Sequence, residues 1–222
     1  MIRLLDLFSG AGGGGVGYFD AGFRVVGVDH RPQPHYPFEF IRADALEYLA
    51  EHGNEYDVIH ASPPCQAYSV TWGLYKRDYP MLIELVRDAL IQTGKPYVIE
   101  NVPGSPLINP VMLCGTMFGL KVIRHRLFEC SPLIYFSPAT CQHEGYATGN
   151  RARRVGITRT PRLSDGFNYV TVAGNNYLSD EGAKAMKIDW MTRAELSQAI
   201  PPAYTEWLGG QIIEIIQRKE TA

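Results

Sequence analysis

The chain has 222 residues, 45% of them hydrophobic and 20% charged, which suits one globular core with room for a small appended lobe. A formal charge of −2 and a pI near 6.3 argue against a protein that coats nucleic acid non-specifically, so any such contact must be concentrated in one place. No apolar run approaches the roughly 18 to 20 residues of a membrane span and the first residues lack a signal-peptide pattern. The expectation is therefore a cytoplasmic protein with no membrane partner. The four cysteines, Cys65, Cys114, Cys130 and Cys141, include no Cys-x-x-Cys pair, so neither a disulfide framework nor a zinc ribbon is indicated. Cys130, Cys141 and His143 form a loose trio of possible ligands, but no metal is assigned to them.

Taken in chain order, residues 1–130 alternate short β-branched runs with helical stretches, the pattern of an α/β protein with a mostly parallel sheet and helices on both faces. Strands are read at Arg3 to Phe8, Arg24 to Asp29, Tyr56 to Ala61, Pro96 to Glu100, and as a final pair around Leu120 to Cys130. Between the third and fourth, Pro80 opens a helix whose apolar residues Leu82, Leu85, Val86 and Ala89 follow a period near 3.6. Residues 131–188 are rich in Gly, Pro, Asn, Ser and Arg and read as a small loop-rich region. Residues 189–222 return as helices: Thr192 caps Arg193 to Ala199 with Glu195 completing a capping box, Pro201 and Pro202 stop that helix, and an amphipathic helix runs from Tyr204 to Arg218.

The first strand leads into Asp6-Leu-Phe-Ser-Gly10-Ala-Gly12-Gly13-Gly14-Gly15-Val-Gly17, where glycines let the backbone approach a bound cofactor. Gly10-x-Gly12-x-x-Gly15 fits a dinucleotide turn, and Asp29 at the end of the second strand is placed for ribose hydroxyls of either a nicotinamide or an adenosylmethionine. The turn alone leaves that choice open, and Asp29 taken alone reads equally well as a strand-end turn residue.

Two further motifs fall at strand ends, where open α/β sheets place their chemistry: Pro63-Pro64-Cys65-Gln66 after the third strand and Glu100-Asn101-Val102 after the fourth. Two prolines hold the cysteine in a rigid extended loop, a poor place for a core filler and a good one for a presented thiolate. A neighbouring strand-end carboxyl is a natural proton donor once burial raises its pKa. Arg124-His125-Arg126 adds two guanidinium groups on the same side, with His125 turned to the other face if the segment is a strand.

These motifs together, with Asp44 after a further strand and Met191-Thr-Arg-Ala-Glu195 before Pro201, resemble the DNA cytosine-5 methyltransferase family. The resemblance covers nearly the whole chain outside the loop-rich region, where family members differ and read their targets. It implies a Rossmann-like, S-adenosylmethionine-dependent methyltransferase fold, with restriction-modification, host mimicry and a step in further base modification open as its role; two departures from the family pattern point to a compact member of the kind a bacteriophage carries. By resemblance Phe8, Gly10, Gly12, Asp29, Asp44 and Pro63 line the S-adenosylmethionine site, with Asp44 near the adenine edge. Cys65, Glu100 and Arg126 act on a cytosine flipped out of double-stranded DNA, and Asn101 braces the loop. Gln66, Ser69 and Arg124 fall beside the substrate, and Gln66 to Lys76, with Trp72 and Gly73, is the candidate lid. The chain is expected to act as a monomer.

Two departures stand out: Val122 occupies the place of a usual glutamine before Arg124-x-Arg126, and Leu208-Gly-Gly-Gln211 replaces a Gly-Asn-Ser-Val signature. Arg151, Arg153, Arg154, Arg159 and Arg162 crowd into twelve residues with no acid between Glu144 and Asp165, a concentrated site for phosphate contacts. Alternatives kept open are the same chemistry on transfer RNA, a noncatalytic DNA-binding relative, and a nicotinamide oxidoreductase; the last would have no need of Cys65 and Glu100.

Overall fold

The computed structural model describes residues 1–65, 81–134, 136–149, 160–174 and 176–220. In chain order the elements are β1 (Arg3–Leu7), α1 (Gly13–Asp20), β2 (Arg24–Asp29), β3 (Glu39–Arg42), α2 (Ala45–His52), β4 (Val58–Ala61), α3 (Ile83–Thr93), β5 (Tyr97–Asn101), β6 (Val111–Leu113), β7 (Arg126–Ser131), α4 (Ser179–Met186), α5 (Arg193–Gln198) and α6 (Pro202–Glu220). The described strands join in the order β3-β2-β1-β4-β5-β7-β6. Strands β1 to β5 pair in parallel, and β7 runs antiparallel to both β5 and β6. The chain winds outward from β1 to β3, then restarts at β4 and winds the other way. The switch point between β1 and β4 is where such sheets open a crevice at their carboxyl ends.

Alternation along the strands sorts the core into two layers. Leu4, Val58, Val98, Phe128 and Cys130 face α1, α6 and the residues that follow β7, while Leu5, Leu7, Ile59, Ala61 and Ile99 face α2 and α3. The loop-rich segment is irregular, yet it sends Val170, Val172, Tyr177, Met186 and Ile188 into the first of these layers.

Helix α6 lies along α1 at close range. A side chain at Gly17 would collide with the Pro202 carbonyl and Thr205, and one at Gly209 would press on Ala21 and Tyr18. Thr205 Oγ1 donates to the Gly14 carbonyl at 2.7 Å and Trp190 Nε1 to the Ala11 carbonyl at 2.9 Å, so α6 and the loop before α5 fasten the first turn.

Several sequence readings need correction. The strand pair expected near Leu120 to Cys130 is one strand, β7; its partner β6 lies upstream, and Val122 is fully buried where it bridges Val170. That burial explains why a valine stands at this position. The further strand expected before Asp44 is β3, Glu39–Arg42. In α3 the inward residues are Ile83, Val86, Arg87 and Leu90, and Leu85 is 58% exposed. Arg87 displaces the apolar stripe because it forms a buried pair with Glu129. The Thr192–Glu195 capping box is present, and Pro202 opens α6 rather than merely closing α5, the first-turn position that suits a residue without an N–H. No described helix is long and apolar enough to cross a membrane.

Candidate active site

The glycine turn is built by local strain and one carboxylate. Phe8 adopts φ 56, Gly10 φ 51 and Gly12 φ 85; the left-handed conformation costs little at the glycines and roughly 1 to 3 kcal/mol at Phe8. A Cβ at Gly12 would strike Pro37 and Tyr36, whereas one at Gly10 would project into open space. The turn therefore presents an uncovered backbone surface over which a flat ligand can lie. Asp29 braces it: Oδ2 accepts from Gly10 N at 3.1 Å and Oδ1 from Arg31 N at 2.9 Å. The strand-end reading of Asp29 is thus realised in the structure, and the carboxylate keeps lone pairs for a hydroxyl. Asp44 caps α2, accepting from the Leu46 and Glu47 amides, and it is exposed.

Beneath the turn lies an acid that the sequence reading left without a role. Asp6 is 2% exposed, accepts from Tyr36 Oη at 3.1 Å, and burial raises its pKa to about 7. In register with Asp6 on the neighbouring strand β4, burial lowers the pKa of His60 to about 3; the ring bridges Tyr18 Oη at 3.0 Å and Ser62 Oγ at 2.8 Å. These shifts oppose one another. The folded state retains a proton on Asp6 that the unfolded chain releases above 3.8, so this contribution to stability is lost as pH rises through 7. The unfolded chain gains a proton on His60 below 6.5 that the folded state refuses, so stability also falls as pH drops toward 3. Thermal melts should peak at mildly acidic pH, and Asp6→Asn should flatten the decline on the alkaline side; an unchanged alkaline limb would remove Asp6 as its cause.

Cys65 follows β4, and Glu100 and Asn101 end β5. The register sets Ile99 beside Ala61, so Ser62 lies next to Glu100 and its hydroxyl bonds to that carboxyl. Antiparallel pairing puts Phe128 opposite Glu100, which brings Arg126, two residues away, onto the same face. Arg126 Nε meets Glu100 Oε1 at 2.9 Å. Asn101 Nδ2 donates to the Pro63 carbonyl at 2.9 Å, tying the two strand-end loops together, while its Oδ1 accepts from Val102 N at 3.0 Å. Burial raises the Glu100 pKa, with Arg126 and Arg124 pulling it back. The Cys65 thiol is likewise pushed up, first by burial and then by the Glu100 carboxylate, with Arg126 and Arg124 opposing.

Arg124 departs from expectation. It is buried and points inward, donating to the Val172 carbonyl and to the Ser197 carbonyl, each at 2.8 Å. It therefore acts as a strut between the loop-rich segment and α5 rather than as a group presented to substrate. Gln66, Ser69 and the whole candidate lid lie outside the described residues, as do Arg151, Arg153, Arg154 and Arg159. Arg162 is described and exposed. The trio Cys130, Cys141 and His143 does not assemble, because Cys130 sits on the core face of β7. Cys141 and His143 instead converge with Cys114 and His125. Sequence spacing gave no signal for that set, since three separate segments bring it together.

The chain has a Rossmann-like fold, a doubly wound sheet of seven described strands, which it shares with solved methyltransferase structures. Among solved structures it is similar to a protein described as a DNA modification methyltransferase encoded within an Escherichia coli prophage. The TM-score is 0.64 at 14% identity, and the match covers 98% of this chain and 100% of the other. Among curated proteins it is similar to the type II methyltransferase M.FnuDI of Fusobacterium nucleatum, 30% identical across 46% of this chain and 33% of that protein. It is also similar to the type II methyltransferase M.AquIA of a Picosynechococcus strain, 31% identical across 46% of this chain and 49% of that protein. The chain thus spans between a third and a half of the length of these curated relatives. No family model matches it.

Proposed function

We propose that the chain methylates carbon 5 of cytosine in double-stranded DNA, with Cys65 as the nucleophile. The observation that carries this reading is the joint arrangement of Cys65, Glu100 and Arg126 beside an open glycine turn: a thiol, a buried carboxyl with a raised pKa, and a guanidinium paired to it. The relatives support methyl transfer to DNA as the setting.

The bound cofactor supplies the electrophilic methyl group; Phe8, Gly10, Gly12, Asp29, Asp44 and Pro63 are the residues proposed to hold it. Carbon 5 of cytosine is too weak a nucleophile until a thiolate adds at carbon 6 and makes the ring enamine-like. Cys65 forms that bond. As negative charge moves toward N3, Glu100 in its protonated form donates a hydrogen bond there, which its burial favours. Arg126 fixes Glu100 and offers a donor to the ring carbonyl. Asn101 holds the Pro63 carbonyl and so fixes the loop that presents Cys65. Carbon 5, now nucleophilic, takes the methyl group and leaves the donor demethylated; its proton then passes to solvent, and the carbon 6–sulfur bond breaks to return the Cys65 thiolate. The base must leave its stack to reach these groups, and the arginine-rich run between 151 and 162 is proposed to hold the duplex by its phosphates.

The test is transfer of labelled methyl from S-adenosylmethionine to unmethylated double-stranded DNA, beside transfer RNA, with the product base identified by mass spectrometry. 5-Methylcytosine in DNA that disappears in Cys65→Ala is the expected result. Label confined to RNA would move the substrate, and transfer that survives Cys65→Ala would remove the nucleophile.

A further inference from the structure

Away from the strand-end site, four side chains from three parts of the chain converge. Cys114 ends the β6 loop just before the short 3-10 turn Gly115–Phe118, His125 immediately precedes β7, and Cys141 and His143 come from the segment beyond it. Cys141 Sγ lies 3.0 Å from His143 Nε2, Cys114 Sγ 3.3 Å from the same nitrogen, and His125 Nε2 3.4 Å from Cys141 Sγ. All four ligand atoms fall within 4.8 Å of one another.

Ordinary packing does not account for this set. A thiol is a weak donor and a weak acceptor, so two thiols and two imidazoles turned toward a common point gain little from each other when Cys114 is fully buried. A tetrahedral ion does account for it. Zinc bonds of about 2.3 Å to sulfur and about 2.0 to 2.1 Å to nitrogen place neighbouring donors about 3.4 to 3.8 Å apart. The three sulfur–nitrogen separations, 3.0, 3.3 and 3.4 Å, lie at or just below the short end of that range, and no two of the four ligand atoms are more than 4.8 Å apart. Thr116 Oγ1 sits 3.5 Å from the Cys114 sulfur and 3.8 Å from that of Cys141, the outer hydroxyl that steadies thiolate ligands.

We infer that Cys114, His125, Cys141 and His143 form a structural zinc site. Two sulfurs and two imidazoles select a borderline-soft ion with tetrahedral preference, and four protein ligands leave no coordination position for substrate. Binding displaces the two thiol protons to solvent, and two thiolates then balance the charge of the ion. The ion joins the first part of the loop-rich segment to the start of β7. His125 adjoins Arg126, so the same ion also sets the approach of the guanidinium that meets Glu100. This inference stands on the four ligands and is independent of the methyl-transfer reading.

The experiment is metal analysis of the full chain purified under reducing conditions without chelator, with cobalt reconstitution as a second readout. One zinc per chain is expected, and Cys141→Ser and His143→Ala should each lower it to below about a tenth of an equivalent while Cys130→Ser retains it. Cobalt bound to the wild-type chain should show a thiolate-to-metal band in the near ultraviolet and the visible bands of a tetrahedral centre, with protons released on titration. Substoichiometric zinc without a thiolate–cobalt band in the reduced wild-type protein would overturn the site. So would a Cys114–Cys141 disulfide trapped by alkylation at cell lysis, or metal retained in full by both ligand variants. Because cobalt is read on the unmutated chain, a variant that fails to fold does not decide the question.

Discussion

Replacing Glu100 by glutamine is expected to slow methyl transfer by roughly 10²- to 10⁴-fold while making Cys65 more reactive toward a small alkylating agent. The two effects part company because Glu100 has two relationships. Toward the proposed substrate it is a proton donor that an amide replaces poorly. Toward Cys65 its carboxylate is a like charge that raises the thiol pKa. Removing that charge lowers the thiol pKa, so at fixed pH more thiolate is present and iodoacetamide reacts faster, with the pH midpoint of alkylation moved down. Arg126→Met should shift the midpoint up, because the guanidinium is among the groups that hold the thiol pKa down, and it too should slow methyl transfer. Opposite movements of the alkylation midpoint with a shared loss of transfer would be the signature of one electrostatic unit. Midpoints that stay put in both variants would mean that these groups do not act on Cys65.

The largest effect on stability is expected at Arg87. Its Nε meets Glu129 Oε1 at 2.7 Å and its Nη2 meets Oε2 at 2.8 Å, while Nη2 also donates to the Pro106 carbonyl at 2.8 Å. Both residues are buried, and the Ile108 amide donates to Glu129 Oε2 at 2.7 Å, so one carboxylate organises α3, β7 and the loop leading into β6. Arg87→Met leaves that carboxylate without its counter-charge and should cost about 3 to 5 kcal/mol in urea unfolding. The double variant Arg87→Met with Glu129→Met should recover most of the loss, because replacing a whole buried pair by apolar side chains is often neutral. Arg87→Lys should fall between, since an ammonium cannot reproduce the two-pronged contact. A single-variant loss below about 1 kcal/mol would place this pair with ordinary surface ion pairs.

The alternation of strand and helix, the glycine turn, and the Pro63-Pro-Cys65 and Glu100-Asn101 motifs were legible from the chain because each is a local pattern at the end of a strand. What the sequence concealed depends on distant partners. Arg87 breaks the apolar stripe of α3 because Glu129 lies across from it, and Leu85 is turned outward as a result. Arg124 carries the charge of a substrate contact, yet the Val172 and Ser197 carbonyls draw it inward. His60 reads as one more strand residue until Tyr18 and Ser62 are seen on either side of its ring. Cys114 and His125 have no ligand spacing in sequence, since only the return of residues 141–143 over the sheet edge brings partners to them.

The fastening of the glycine turn by Trp190 and Thr205 has a consequence for biogenesis. Those two hydrogen bonds span 179 and 191 positions along the chain, so the turn belongs to the most non-local part of the topology. During synthesis the first 130 residues can collapse and pair their strands while the surface beneath α6 is still bare. The nascent chain completes the crevice only after α6 has emerged and docked, and until then the glycine-rich face of α1 that α6 covers stays exposed.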